Sequence, residues 1–147
     1  MDRIDRRILQ ELQGDGRMTN AQLAETVGLS ASACLRRVQE LERLGVIVGY
    51  RAIVDPLALG RGFTVLVAIG LDDHSKRSQR AFESAVVNSP EVVECHNVTG
   101  AIEYLLRVEV ADLAHYKRFH TDVLGTLPQV HSISSYVVME SIKDERA

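Results

Sequence analysis

The chain has 147 residues, enough for one average domain or two small ones; either half alone would have a thin core, so association of copies is expected. Its 46% hydrophobic and 25% charged content is ordinary for a soluble globular protein, and its longest apolar run, residues 63–71, is too short to cross a bilayer as a helix. The net charge of −3, with 8 basic and 8 acidic residues up to Gly60 and 9 and 12 beyond it, gives no global support to nucleic-acid binding, so any such argument must rest on where individual arginines sit.

The first third reads as three helices. Ile4, Ile8, Leu9 and Leu12 recur at helical spacing, and Gly14-Asp15-Gly16 ends that helix. Thr19 is a good N-cap for a second helix with Leu23, Ala24 and Val27 inward. In Val27-Gly28-Leu29-Ser30, Gly28 can take the left-handed conformation at a helix end and Ser30 can cap the next helix. Two short helices joined by so tight a turn cross steeply, which is helix-turn-helix geometry. The third helix is predicted from Ala31 to Leu44, with Leu35, Val38 and Leu41 as its inner stripe, Cys34 beside it and Gly45 stopping it. Residues 46–54 are β-branched and broken at Gly49, and read as a short wing or linker strand pair. Asp55-Pro56 and Gly60-Arg61-Gly62 are breakers, which divides the chain into residues 1–60 and 61–147.

The remainder alternates strand and helix. A strand is predicted over residues 63–71, with Phe63, Val65, Val67, Ile69 and Leu71 on one face and Thr64, Leu66, Ala68 and Gly70 on the other. A helix follows from Ser78 to Asn88 with Ala81, Phe82, Ala85 and Val86 inward, then a strand from Val92 to Thr99. After the tight Gly100-Ala101 loop, Ile102, Tyr104, Leu106, Val108 and Val110 mark a third strand. A helix from Asp112 carries Leu113, Tyr116, Phe119, Val123 and Leu127 on one face, and a last strand runs from Val130 to Ile142. The order β-α-β-β-α-β predicts an α+β chain whose second domain is ferredoxin-like: four antiparallel strands with both helices on one face. The other face is also apolar and needs a cover, most simply the same sheet of a second subunit, face to face.

A helix-turn-helix places the start of its second helix in the major groove. Ser30, Ala31, Ser32, Arg36 and Arg37 are therefore candidate DNA contacts. The hydroxyls suit phosphates or base edges, and Ala31 suits close approach or a thymine methyl. Adjacent helix residues point about 100° apart, so Arg36 is assigned to the groove and Arg37 to the phosphate backbone. A solvated Arg36–Glu40 pair is the structural alternative. Thr19, Asn20 and Gln22 open the preceding helix, where amides and polar side chains grip phosphate; Arg51 and Tyr50 on the wing are weaker candidates. In the second half, Thr99-Gly100-Ala101-Ile102 exposes successive backbone amides that can hold a carboxylate, with Thr-Gly as a plain hairpin turn the alternative. The two cysteines, Cys34 and Cys95, form no CxxC pair, and the charged start of the chain has no apolar signal region; a reduced cytoplasmic setting is expected. Cys95-His96 lie on opposite faces of a strand and so make no nucleophile–base pair. No spacing among the five histidines suits a metal, and no phosphate loop or dinucleotide fingerprint occurs; no catalytic site, metal or cofactor is expected.

Ile4-Asp5-Arg6-Arg7-Ile8-Leu9, Leu23-Ala24-Glu25-Thr26-Val27-Gly28-Leu29-Ser30, Ser32-Ala33-Cys34-Leu35-Arg36-Arg37-Val38, Leu44-Gly45-Val46-Ile47, Gly49-Tyr50-Arg51-Ala52, Pro90-Glu91-Val92-Val93-Glu94-Cys95, Val98-Thr99-Gly100 and Tyr104-Leu105-Leu106 follow one another along the chain. In this order and spacing the sequence closely resembles the Lrp/AsnC (leucine-responsive, feast/famine) regulators over nearly its whole length. The resemblance implies a winged helix-turn-helix joined to a ligand-responsive βαββαβ (RAM-type) domain, and dimers assembling into octamers or similar rings. It also implies regulation of amino-acid metabolism genes through double-stranded operator DNA. An amino-acid effector is implied near the Thr99–Ile102 loop, between dimers. Asp122 matches an acidic position for the ligand's ammonium and Ser135 a hydroxyl position; Glu103, Tyr104 and His96 are neighbouring candidates. Two departures stand out. Ala101-Ile102-Glu103 replaces the common acidic-Tyr-acidic triplet, and Lys143–Ala147 replaces a threonine-rich tail.

Overall fold

The computed structural model describes residues 1–144; residues 145–147 of the charged tail lie outside the described residues. The chain divides into two compact units, Met1–Ala52 and Ile53–Ala147.

The first unit is three helices whose ends are fixed by local chemistry. α1 (Arg3–Gly14) starts at Asp2, whose side chain accepts from the Asp5 amide while Asp5 reaches back to the Asp2 amide. α2 (Asn20–Val27) starts at Thr19 in the same reciprocal box with Gln22, and ends at Gly28, whose φ of 75° is the left-handed conformation read from the sequence. α3 (Ala31–Arg43) is capped by Ser30, and the chain leaves it through Gly45 at φ 69°. Ile8, Leu23, Ala24, Val27, Cys34 and Leu41 are buried together, with Ile4, Leu12, Leu29, Val38 and Ile47 around them.

Two expectations need correcting in this unit. The inner stripe of α3 is Cys34, Val38 and Leu41, spaced i, i+4, i+7; Leu35 sits about 100° round the helix and is 45% exposed. The segment 46–54 forms no strand: a β-branched run has strand propensity, but a ladder needs a neighbour, and none of the described residues pairs with it. Val48 is left 93% exposed.

The second unit is a four-stranded antiparallel sheet in the order β2-β3-β1-β4, with β1 Phe63–Leu71, β2 Val92–Asn97, β3 Tyr104–Val110 and β4 Val130–Val137. Its helices are α4 (Lys76–Val87) and α5 (Leu113–Asp122), the latter followed by a 3-10 turn, Leu124–Thr126. Val65, Val67, Ile69 and Leu71 of β1 and Tyr104, Leu106, Val108 and Val110 of β3 form one face, and Phe82, Val86, Tyr116 and Phe119 of both helices pack on it. The predicted split βαβ is therefore present, with its core on one side of the sheet. The opposite face exposes Leu66, Val93, Leu105 and Tyr136 around a largely buried Arg107.

Here too some details differ from the sequence reading. Ala81 and Leu113 are exposed, because Phe82, Ala85 and Val86 and then Tyr116 and Phe119 already fill the helix faces over the sheet. β4 ends at Val137, paired with Val65, one residue before the Val138 amide makes a last contact to Thr64 O at 3.0 Å, and Met139 and Ile142 lie in solvent.

Phe82 is fully buried, with its ring centroid 4.6 Å from that of Tyr104. Phe82→Ala is expected to destabilise the second unit by about 3–5 kcal/mol, read as a lower urea midpoint at unchanged slope.

Candidate nucleic-acid interface and effector site

The turn between α2 and α3 is held from several sides. The Leu29 amide donates to Ala24 O at 2.9 Å, and the Asn20 side-chain amide donates to Ala31 O at 2.8 Å, tying the start of α2 to the start of α3. Gln22 Oε1 accepts from the Thr19 amide at 2.9 Å. Ser30 Oγ accepts from the Ala33 amide at 3.2 Å and lies 3.3 Å from Ser32 Oγ. Thr19, Asn20, Gln22 and Ser30, all predicted as DNA contacts, thus build the motif itself while remaining at its surface.

Ser32, Arg36, Gln39 and Arg43 are exposed on α3 at spacings of four, three and four, a single outward stripe. Among the described residues Arg36 has no hydrogen bond or ion pair. Its proposed partner Glu40 is instead gripped by Arg43, whose Nε and Nη2 each donate to it at 2.7 Å. Arg37, expected at the DNA backbone, is engaged within the subunit: its Nη1 donates to Asp2 at 2.7 Å and to Asp5 at 2.8 Å, bridging α3 to the cap of α1. The Asp5 amide and the Arg37 guanidinium together lower the Asp2 carboxyl from 3.8 to about 2. Gln39 joins the candidates here, and its place in the 32-36-39-43 stripe is legible in the sequence. Arg51 is exposed beyond α3, and the Tyr50 hydroxyl donates to Glu42 at 2.9 Å.

In the second unit the loop 98–103 joins β2 to β3. The Val98 amide donates to Glu103 O at 2.9 Å, the Glu103 amide donates to Ile69 O at 2.9 Å, and Gly100 has φ 125°. Thr99, Gly100 and Ala101 are exposed and Ile102 half-buried. Glu103 is fixed to the end of β1: one carboxylate oxygen accepts from the Leu71 amide at 2.6 Å, and the other lies 3.2 Å from His74 Nδ1. The pairings Ile69↔Tyr104 and Leu71↔Val130 put this loop, the end of β1 and the start of β4 at one end of the sheet. α5 returns from the far end of β3 and brings exposed Asp122 to that same end. Ser135 lies mid-strand opposite Val67, its hydroxyl hydrogen-bonded to the Tyr116 hydroxyl, a partner not foreseen from sequence. Tyr104, expected beside the effector, is a core residue: it is 1% exposed, its hydroxyl donates to Glu83 at 2.6 Å, and burial and Glu83 push its phenol above the ordinary value. His96 points to the opposite face from the core, 3.6 Å from Glu94.

Burial raises both thiols, Cys34 by itself and Cys95 with Glu83 adding to the effect, so neither is activated toward the nucleophilic thiolate. Among the described residues no three His, Cys, Asp or Glu side chains group as a metal site, and no helix is long and apolar enough to cross a membrane.

Residues 1–48 match the family described as winged helix-turn-helix DNA-binding, and residues 64–147 the Lrp/AsnC ligand binding domain. The leucine-responsive regulatory protein of Klebsiella pneumoniae is 44% identical over 143 residues, which span 97% of this chain and 87% of that protein. Its Escherichia coli K12 counterpart is 43% identical over the same shares. Among solved structures, a transcriptional regulator of Neisseria meningitidis in complex with L-Met superposes with a TM-score of 0.93 at 34% identity, over 98% of this chain and 93% of that one. An AsnC family transcriptional regulator of Agrobacterium tumefaciens gives 0.91 at 40%, over 98% and 94%.

Because the Asp2 carboxyl is lowered on folding, its contribution to stability is complete above pH 3.8 and is lost as the pH falls through about 2. Asp2→Asn is expected to lower the thermal midpoint of the first unit at neutral pH and to flatten its decline between those two values, followed by circular dichroism.

Proposed function

The chain belongs to the Lrp/AsnC family of transcription regulators, and on that premise we propose that residues 1–60 read operator DNA while residues 61–147 take up an amino acid and assemble copies of the chain. α3 enters the major groove. Ser32 and Arg36 reach base edges or phosphates, Ala31 allows close approach, and Ser30, Thr19, Asn20 and Gln22 bring backbone amides and polar groups to phosphate at the helix starts. Arg51 adds a cation beside them. Arg37 positions α3 rather than touching DNA. The observation that carries this reading is Arg36: a guanidinium with no intramolecular partner among the described residues, on the outward face of a helix locked on its other side.

The effector reading rests on the end of the sheet where loop 98–103 and Asp122 lie. Amides of Thr99, Gly100, Ala101 and Ile102 suit an amino acid's carboxylate, Asp122 its ammonium, and Ser135 contributes a hydroxyl. Glu103 holds the loop in place. With Ala101 the exposed turn 99–102 carries no acidic side chain, and the Glu103 carboxylate is engaged at the end of β1, which favours an uncharged effector side chain. The L-Met bound by the Neisseria meningitidis regulator supports the ligand class. The apolar face around Leu66, Leu105 and Tyr136 suits a face-to-face dimer, from which an octameric ring would be built. The protein then acts in the cytoplasm on amino-acid metabolism genes.

A gel shift with the full chain on the DNA upstream of its own gene tests the DNA reading. Arg36→Ala is expected to weaken binding by about 1–3 kcal/mol without lowering the thermal midpoint, whereas Arg37→Ala lowers the midpoint and leaves the salt slope unchanged. Unaltered binding by Arg36→Ala contradicts the placement. Thermal shift against the twenty amino acids tests the effector: at least one should raise the midpoint, and no shift with any contradicts the site.

A further inference from the structure

Leu35 is an apolar side chain on the flank of α3, outside the buried cluster of its unit. It is 45% exposed and takes no part in the cluster formed by Ile8, Cys34 and Leu41. A lone exposed leucine normally needs no explanation, but the position of this one is specific. It stands one turn into α3, flanked at i−3 by Ser32, at i+1 by Arg36 and at i+4 by Gln39, all exposed. Long side chains on a helix lean toward its N-terminus, so Leu35 covers the surface above Ala31 and Ser32, the turn that leads α3. A leucine has no donor or acceptor and gains nothing from a phosphate or a polar base edge. The one apolar group that the floor of the major groove presents is the thymine 5-methyl.

We propose that Leu35 is a specificity-determining residue that packs on a thymine methyl of the operator, next to the base step reached by Arg36. The inference rests on the major-groove reading above and deepens it. Ala31 is too short to cover such a methyl without the backbone itself approaching, whereas Leu35 reaches it from the second turn. The occupant of this surface is DNA and not a second copy of the chain, because the leucine is embedded among Ser32, Arg36 and Gln39, a hydrogen-bonding and cationic set complementary to a duplex.

The probe is a duplex selected by the full-length protein from a random-sequence pool, resynthesised with deoxyuridine replacing each thymine in turn, which removes only the methyl. For the wild type, one substitution per half-site is expected to weaken binding about fourfold, the worth of one buried methyl group. In Leu35→Ala that position should become indifferent to the methyl, while other positions respond as in the wild type. Leu35→Met, similar in volume, should retain the methyl dependence. Thermal midpoints should be unchanged in both variants. The inference is overturned if no position in the wild type depends on its methyl, if Leu35→Ala preserves the dependence, or if Leu35→Ala changes the oligomer mass by native mass spectrometry and leaves the methyl pattern intact. Ser32→Ala and Arg36→Ala on the same duplex separate the two levels. If neither affects binding, the major-groove reading itself fails; if Arg36→Ala weakens binding and the methyl response is independent of Leu35, only the present inference fails.

Discussion

α3 can offer a polar face outward only because its other face is fixed, and two unlike contacts fix it. Cys34 and Leu41 are buried against Ile8, Leu23 and Val27, which sets the rotation of the helix. Arg37 reaches across to Asp2 and Asp5, which sets its position along α1. Helices of 8 to 13 residues are marginal by themselves, so this small core and the caps at Asp2, Thr19 and Ser30 carry the unit. The division of labour between neighbouring arginines follows. Arg37 is neutralised inside the subunit, and Glu40, which could have neutralised Arg36, is occupied by Arg43. The positive charge left at the outward face is local, which is why a chain of net charge −3 can still present a cation to a polyanion.

In the second unit the constraint is one-sidedness. β1 is internal, flanked by β3 and β4, and its odd-numbered residues are sealed by both helices. Its even-numbered side faces outward with Leu66, beside Leu105 and Tyr136 and across from Arg107. Loop 98–103 is coupled to the same strand through two contacts, the Glu103 amide on Ile69 O and the Glu103 carboxylate on the Leu71 amide. Any rearrangement of this loop would have to act on the end of β1, the strand shared by the core and the open face.

The parts of the fold legible in the sequence were those decided by neighbours. Thr19, Gly28, Ser30 and Asp112 act on residues a few positions away, so their capping chemistry is written locally, and the large branched residues at the odd positions of β1, with the alternation through β3, mark which side of the sheet is core. For Leu35 the sequence is ambiguous: 35-38-41 fits helical spacing nearly as well as 34-38-41, and a cysteine competes poorly with a leucine for an inward place. The role of Arg37 depends on carboxylates 32 and 35 residues away, which no local pattern encodes. Residues 46–54 have the composition of a strand without a neighbour to pair with. Tyr104 illustrates the reverse: its parity with Leu106 and Val108 already pointed to the core, and proximity to the loop outweighed it only in the sequence reading.

The proposed seat of α3 in the major groove is tested most directly by which groove the bound protein shields. Dimethyl sulfate footprinting distinguishes the grooves, since it methylates guanine N7 in the major groove and adenine N3 in the minor. On a duplex bound by the full chain, protection of guanine N7 within each half-site, with adenine N3 reactivity unchanged there, is the expected pattern. Protection confined to adenine N3, with every guanine N7 as reactive as in free DNA, would contradict it.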